Sequence, residues 1–221
     1  VMIMYMSDLF VFIQARLSSS RLPGKVLYPF RGKPLIIYLL NSLSHKIFHQ
    51  NIIVLASGND VDTALEFVVN QAGYKCLRFD IDEDDVLNRF LLATRQVNAK
   101  HIVRLTADNP LYDVSFLEEA VEHYVSSGKQ LASTRTIHNQ IIKRYAPKGL
   151  SIDIFSASLL EKVAPLAKDP YDREHVIPKM FEVTECQILK YPSYDPLNDT
   201  QTLSIDTAKD YLRIIDLSYY K

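Results

Sequence analysis

Within residues 13–27, Ile13-Gln14-Ala15-Arg16-Leu17-Ser18-Ser19-Ser20-Arg21-Leu22-Pro23-Gly24-Lys25-Val26-Leu27, an apolar run gives way to serines, arginines, a glycine and a lysine. Hydroxyls, free backbone N–H groups and three cations in one loop suit a polyphosphate, which needs convergent donors and neutralising charge. Pro23-Gly24 marks a turn inside it. The spacing is neither G-x-x-x-x-G-K-[ST] nor G-x-G-x-x-G. A distant aspartate could complete such a site: Asp108 in Leu105-Thr106-Ala107-Asp108-Asn109-Pro110-Leu111; a second, Asp206, stands in Ser204-Ile205-Asp206-Thr207-Ala208-Lys209-Asp210. A carboxylate facing polyphosphate is repelled unless a cation lies between them. Mg²⁺ is bound in this way, by one or two carboxylates plus phosphate oxygens. Each aspartate also has a plainer reading. Asp108 would serve as a turn residue before Pro110, and Asp206 as the N-cap of a last helix. Asp210 fits the first turn of that helix, where negative charge is favoured.

Other chemistries find no support. The chain has no H-E-x-x-H, no Cys-x-x-Cys and no nucleophile elbow, which removes the zinc-hydrolase and serine-hydrolase readings. A net charge of −1 gives no reason to expect nucleic acid or an anionic membrane as partner. No stretch reaches the ~18 apolar residues of a membrane span. Residues 1–6 lack a basic flank, so no secretory signal is read there. Cys76 and Cys186 are too few for a disulfide framework; read as buried free thiols, they suit a reducing cytoplasm.

The elements that must carry these residues alternate. Leu9 to Ile13 reads as a buried first strand and Asn51 to Ala56 as a second. Leu77 to Phe79 and Ile102 to Thr106 follow as strands, with Asp108 just past the latter. Between them, Pro34 starts a helix with an apolar face of Ile36, Leu39, Leu40, Leu43 and Ile47. The segment Ser57-Gly58-Asn59-Asp60 caps another helix, which Gly73 stops. A third helix, with Leu87, Phe90 and Leu91 on its face, follows an acidic loop of five carboxylates at 80–85. Ser115 and Glu118 form a capping-box pattern for the next. This rhythm predicts an α/β fold in three layers: a mostly parallel sheet with helices on both faces. Sites in such sheets lie at the carboxyl ends of strands, where the opening loop and Asp108 both fall. From Arg135 to Leu150 the pattern is irregular. Strands are expected at 152–155, 187–191 and 202–205, a helix capped by Ser156, a loop at 165–173, a short helix near 174–176, and a final helix from about Ala208. We read one domain over 1–221, with residues from about 135 to 200 as a lid or dimerisation subregion.

The opening segment Ala15-Arg16-x-x-Ser-x-Arg21-Leu22-Pro23-Gly24-Lys25 resembles the loop of the sugar-activating cytidylyltransferases, which include the CMP-sialate and CMP-KDO synthetases. With residues 104–111, 172–176 and 204–210, it is most similar to their spore-coat polysaccharide branch. The resemblance implies a Rossmann-like nucleotide-diphospho-sugar transferase fold. It also implies an enzyme that joins CTP to an acidic keto-sugar of nonulosonic-acid or KDO type, releasing pyrophosphate, and that works as a homodimer. It places Arg16 and Lys25 on the triphosphate, and Gln14, Ala15, Ser18, Ser20, Arg21, Ala56, Ser57, Arg89 and Thr106 around the nucleotide. Asp108 and Asp206 would hold Mg²⁺; Arg173, Glu174 and His175, with the Lys148-Gly149-Leu150 stretch, would face the sugar. Arg21 and Arg89 could instead be structural ion-pair partners, and His175 a structural hydrogen-bonding group. Arg104, on the strand leading to Asp108, would face the nucleotide. One departure stands out: Phe79-Asp80-Ile81-Asp82 lacks the glycine usual before the acidic run. Two competing readings are an enzyme using another nucleotide with a sugar 1-phosphate, and a catalytically silent nucleotide-binding module.

Overall fold

The computed structural model describes residues 7–44, 51–196 and 202–219. Its central strand, β1 (Leu9–Gln14), is covered on both faces. Leu9, Val11 and Ile13 join one apolar layer and Phe12 the other, so the run shows no alternation with polar residues. β1 lies between and parallel to β4 (Ile52–Ser57) and β6 (His101–Thr106), and β5 (Lys75–Phe79) continues the parallel set beyond β4. On the other side β10 (Asp153–Ser156) runs antiparallel to β6 and to β7 (Leu131–Ser133). β11 (Cys186–Ile188) closes the sheet parallel to β7. The order is β11-β7-β10-β6-β1-β4-β5. Because β10 alone is reversed, its first residue, Asp153, reaches the edge where the other strands end. There it stands opposite Arg104 and Ser133.

Helices cover both faces, as the alternation predicts. α1 (Leu35–Ser44), α2 (Thr63–Gln71) and α4 (Val114–Ser127) bury side chains in the layer of Val11 and Ile13. α3 (Val86–Val97), α5 (Ala157–Val163) and α7 (Pro178–Val183) do so in the layer of Phe12 and Phe155. α6 (Pro170–His175) lies before α7. The short hairpin of β2 (Pro29–Phe30) and β3 (Lys33–Pro34) packs with the last helix, α8 (Ala208–Tyr219), through Leu22, Phe30, Leu35, Ile205 and Ile214. That small cluster fixes the opening loop against the far end of the chain.

Several local expectations are corrected. Residues 202–205 form no strand. The Leu203 N–H bonds to the Lys148 carbonyl at 2.6 Å and the Ile205 N–H to the Asp108 carbonyl at 2.9 Å, so loops, not a sheet edge, satisfy this backbone. The capping residue of α4 is Asp113, which accepts from the Phe116 N–H at 3.1 Å; Ser115 lies inside the helix. The irregular stretch after Arg135 contains a hairpin, β8 (Arg135–His138) and β9 (Ile141–Arg144), turned at Asn139 and Gln140. Both of these have positive φ, the requirement of a two-residue turn of the primed type. The loop expected at 165–173 gives way to α6 from Pro170, whose N-cap is Asp169. Ser156 caps α5 as expected, accepting from the Leu159 N–H at 3.1 Å. Ile47 of the first helix face lies outside the described residues, as do residues 1–6.

Gly149 holds the far end of the chain in place. Its φ is +104°, and a Cβ there would lie 2.4 Å from the Leu203 carbonyl carbon and 2.6 Å from the Ser204 nitrogen. Only glycine admits residues 203–206 so close to the 147–150 turn. Replacing Gly149 with alanine should cost about 2–4 kcal/mol from backbone strain and overpacking. Urea unfolding would measure it as a lower midpoint at unchanged slope.

Candidate active site

Gly24, at φ +69°, reverses the chain, its N–H bonded to the Leu17 carbonyl at 2.8 Å. The single helical turn Lys25–Leu27 that follows aims Lys25 inward, where it is 8% exposed. Its ammonium lies 2.8 Å from Asp108 Oδ2, 2.7 Å from the Ile205 carbonyl oxygen and 3.4 Å from Asp206 Oδ1. Asp206 also accepts from Arg21 Nη2 at 3.1 Å and Lys148 Nζ at 3.0 Å. Burial works to raise the pKa of Asp206, but the Lys148 hydrogen bond and the charges of Lys25, Lys148 and Arg21 hold it below the usual carboxylate range.

The plainer reading fails for Asp206, whereas Asp108 does sit in the turn before Pro110. Thr207, not Asp206, caps α8: its Oγ1 accepts from the Asp210 N–H at 3.2 Å, while Asp210 Oδ2 accepts from the Thr207 N–H at 2.9 Å. This reciprocal pair is a capping box with aspartate in the glutamate position. It confirms Asp210 as structural and leaves the Asp206 carboxylate to the cations. Near Asp108 the turn is held by Asn109, whose Nδ2 donates to Thr106 Oγ1 and Tyr112 Oη.

A cavity of about 360 Å³ opens here, at the carboxyl ends of β1 and β6, within the size range of small-molecule sites. Of the residues singled out in the sequence, Gln14, Ala15, Arg16, Ser20, Arg21, Lys25, Arg89, Thr106, Asp108, Glu174, His175 and Asp206 line it. Four expected residues do not. Ser18 is exposed and donates to Glu83; its neighbour Ser19, not singled out from the sequence, lines the cavity. Ala56 is fully buried in the core. Ser57 is also fully buried, its hydroxyl donating to Asp62 Oδ2 at 2.6 Å. Asp62 further accepts from the Ser57 and Leu17 N–H groups at 3.0 and 2.8 Å, tying the opening loop to β4. Arg173 turns away from the cavity. It donates to Asp85 Oδ2 at 2.5 Å and to the Ala164 carbonyl at 3.2 Å, which joins α6 to the start of α3.

The acidic loop closes over the cationic one. Arg16 Nη1 donates to Glu83 Oε1 at 2.6 Å and Asp84 Oδ1 at 2.8 Å, and Asn59 Nδ2 also donates to Glu83. Arg89 is 2% exposed and gives Nη2 to the Glu83 carbonyl oxygen at 2.6 Å. The pairing left open for Arg89 is therefore to backbone. The missing loop glycine has a counterpart across the crossing. A Cβ on Gly58 would lie 2.6 Å from Asp80 Cα, so Gly58 supplies the room.

On the other side of the cavity, Asp153 accepts from Arg104 Nη1 at 2.9 Å, Arg135 Nη2 at 2.7 Å and Ser133 Oγ at 2.7 Å. Burial opposes its ionisation, but the two guanidinium charges and these bonds hold its pKa below the usual range. Arg104 and Arg135 line the cavity. Arg135 and Asp153 were not read from the sequence, although a lone aspartate inside Ile152-Asp153-Ile154-Phe155 was the available signal. Among the described residues seven buried side-chain polar atoms lack a partner: Thr94 Oγ1 and Arg213 Nη1 away from the cavity, and Gln14 Oε1, Asn109 Oδ1 and the Nε atoms of Arg89, Arg104 and Arg135. The last five belong to residues that line this cavity. Unpaired buried polar atoms are rare in folded proteins, and their concentration here marks a place built for a polar ligand.

No cluster of three His, Cys, Asp or Glu side chains able to hold a metal ion occurs among the described residues. Asp108 and Asp206 converge on one ammonium and offer hard oxygen ligands. This fits Mg²⁺ completed by phosphate oxygens rather than a cage made wholly of protein.

The sequence model described as cytidylyltransferase matches residues 10–218. The spore coat polysaccharide biosynthesis protein SpsF of Bacillus subtilis is 30% identical over 218 residues, covering 93% of this chain and 84% of that protein. The solved structure of a cytidylyltransferase from Leptospira borgpetersenii superposes with a TM-score of 0.85 at 29% identity, covering 97% of this chain and 87% of that one. The structure of CMP:2-keto-3-deoxy-manno-octonic acid synthetase complexed with CTP gives 0.72 at 17% identity, covering 96% and 99%; it is similar in fold. With a paired-carboxylate cradle at the sheet edge and a family match over nearly its full length, the chain belongs to the cytidylyltransferase family and is a nucleotidyltransferase.

Proposed function

We propose that this enzyme joins CTP to an acidic sugar, with Mg²⁺, and releases pyrophosphate. One observation carries the reading: Asp108 and Asp206, 98 residues apart in sequence, share the Lys25 ammonium inside a cavity rimmed by arginines. Asp108 and Asp206 would hold the ion, which supplies neutralisation of triphosphate charge when bound. Arg16, Arg21 and Lys25 bind the phosphates by charge-assisted hydrogen bonds and stabilise the charge that develops on the leaving pyrophosphate. Gln14, Ala15, Ser20, Arg89 and Thr106 line the nucleotide side. Glu174 and His175 line the sugar side. An acidic sugar is favoured by Arg104 and Arg135, two buried guanidinium groups set against the single carboxylate of Asp153. Their excess charge suits a planar carboxylate. The reading includes one domain over 1–221, with residues 135–200 as the lid and pairing region of a homodimer.

The direct test adds CTP with Mg²⁺ and follows the melting temperature. It then measures pyrophosphate release against a panel of acidic and neutral sugars, with all four nucleotides. Stabilisation by CTP and turnover confined to acidic sugars are expected; no thermal shift at millimolar CTP overturns the reading. Asp108→Ala should lower turnover by roughly a thousandfold or more and lower the melting temperature while leaving the fold intact, since Lys25 keeps Asp206 and the Ile205 carbonyl. Glu83→Gln removes a negative charge that occupies Arg16, so it should tighten CTP binding a few-fold in calorimetry. That gain should shrink as salt is raised.

A further inference from the structure

We infer that His175 is the general base of the reaction, taking the proton of the sugar hydroxyl as its oxygen attacks the α-phosphorus. The inference rests on the sugar-activating reading above. A histidine kept for structure has its ring nitrogens spent on the protein. His101 is of that kind, with Nδ1 2.9 Å from Tyr124 Oη. His175 is half-buried, lines the same cavity as Asp108 and Asp206, and neither ring nitrogen has a hydrogen-bond partner among the described residues.

The backbone holds it there at a cost. Val176, the next residue, is fully buried at φ +70° and ψ −55°, and the Ile177 N–H reaches back to the His175 carbonyl at 2.8 Å. This is the rare, strained form of the three-residue turn, adopted by a β-branched side chain. Such strain persists where surrounding structure demands it, and it gathers at functional sites. The ring of Tyr171 packs against the imidazole with centroids 4.2 Å apart, which limits its rotation. The turn and the tyrosine together point Glu174 and His175 at the cavity.

The charge environment suits the role. Burial lowers the imidazole pKa first; Glu174 on the same helix raises it, and Arg104 on β6 and Arg135 on β8 lower it, leaving it below the ordinary 6.5. From α3, Asp85 faces this helix paired with Arg173, and on α7 Lys179 and Glu182 pair with each other beside Asp172. The ring is therefore neutral, with a lone pair available, at pH 7. In the step, the hydroxyl O–H bond breaks and its proton passes to the imidazole. The oxygen forms a bond to the α-phosphorus, and the bond to pyrophosphate breaks, pyrophosphate leaving with the electron pair. The imidazolium returns its proton to solvent.

The test compares wild type with His175→Gln and His175→Ala, using CTP, Mg²⁺ and 3-deoxy-manno-octulosonate followed by the acidic-sugar panel. The expected result is a fall in kcat of about 10²–10⁴-fold, with the CTP-dependent rise in melting temperature kept. Wild type should gain activity with rising pH through an apparent pKa below 6.5. This acid limb should vanish in His175→Gln, and free imidazole should partly restore His175→Ala. A His175→Gln enzyme within threefold of wild type, or one that keeps the acid limb, overturns the assignment. Failure of the sugar-activating reading looks different: wild type itself shows neither CTP stabilisation nor pyrophosphate release from any sugar, and the assignment falls with it.

Discussion

A buried ammonium must be surrounded by anions and oxygens, because its desolvation costs several kcal/mol that only close partners offset. Lys25 meets this condition through Asp108, Asp206 and the Ile205 carbonyl, which come from the opening loop's far neighbours in sequence. The arrangement works in both directions. Two carboxylates at one point would repel each other, and the lysine makes their approach tolerable. The same contacts draw the last segment of the chain onto the first strand. Around them the fold supplies mechanical support: Gly24 reverses the loop, Gly149 lets residues 203–206 pass, and the Leu22–Phe30–Ile205–Ile214 cluster holds the loop to α8.

The rest of the cavity repeats this logic at larger scale. Basic side chains outnumber acidic ones along its wall, and each buried acid has a definite cationic or backbone partner. Asp153 binds two arginines across three adjacent strands, an arrangement available only because β10 runs against β6 and β7. Its register places Arg104, Asp153 and Ser133 side by side, and Arg135 follows directly from β7. On the opposite wall Glu83 and Asp84 occupy Arg16. The protein thus keeps the charge of Arg16 compensated by its own carboxylates, and in the proposed function a triphosphate would compete with them for the same donors.

Some residues acquire their part only through the burial of others. Arg173 looked suited to a sugar carboxylate, yet Asp85 and the end of α5 claim it. Ser57 looked suited to a nucleotide loop, yet Asp62 draws it inside. Both are polar side chains near a site whose bonds go to the scaffold. Asp62 itself, three donors converging on one buried carboxylate, explains why the opening loop sits where β4 ends.

The sequence by itself determined the layered α/β architecture and the family, and it singled out the cationic loop and the two aspartates that meet beside it. Each is carried by local pattern: an apolar run buried on both faces, a cationic loop broken by Pro23-Gly24, an Ile-Asp-Thr segment before an amphipathic helix. The two-residue turn at Asn139, the Asp169-Pro170 helix start and the Asp153 charge inside a strand were also written locally and went unread. What no local pattern contains is which distant groups meet. That Arg135 joins Arg104 on Asp153, and that Asp108 past the end of β6 meets Lys25 past the end of β1, follow from strand order and register. Those are properties of the sheet as a whole, because a side chain's partners depend on which strand the backbone hydrogen bonds place beside it.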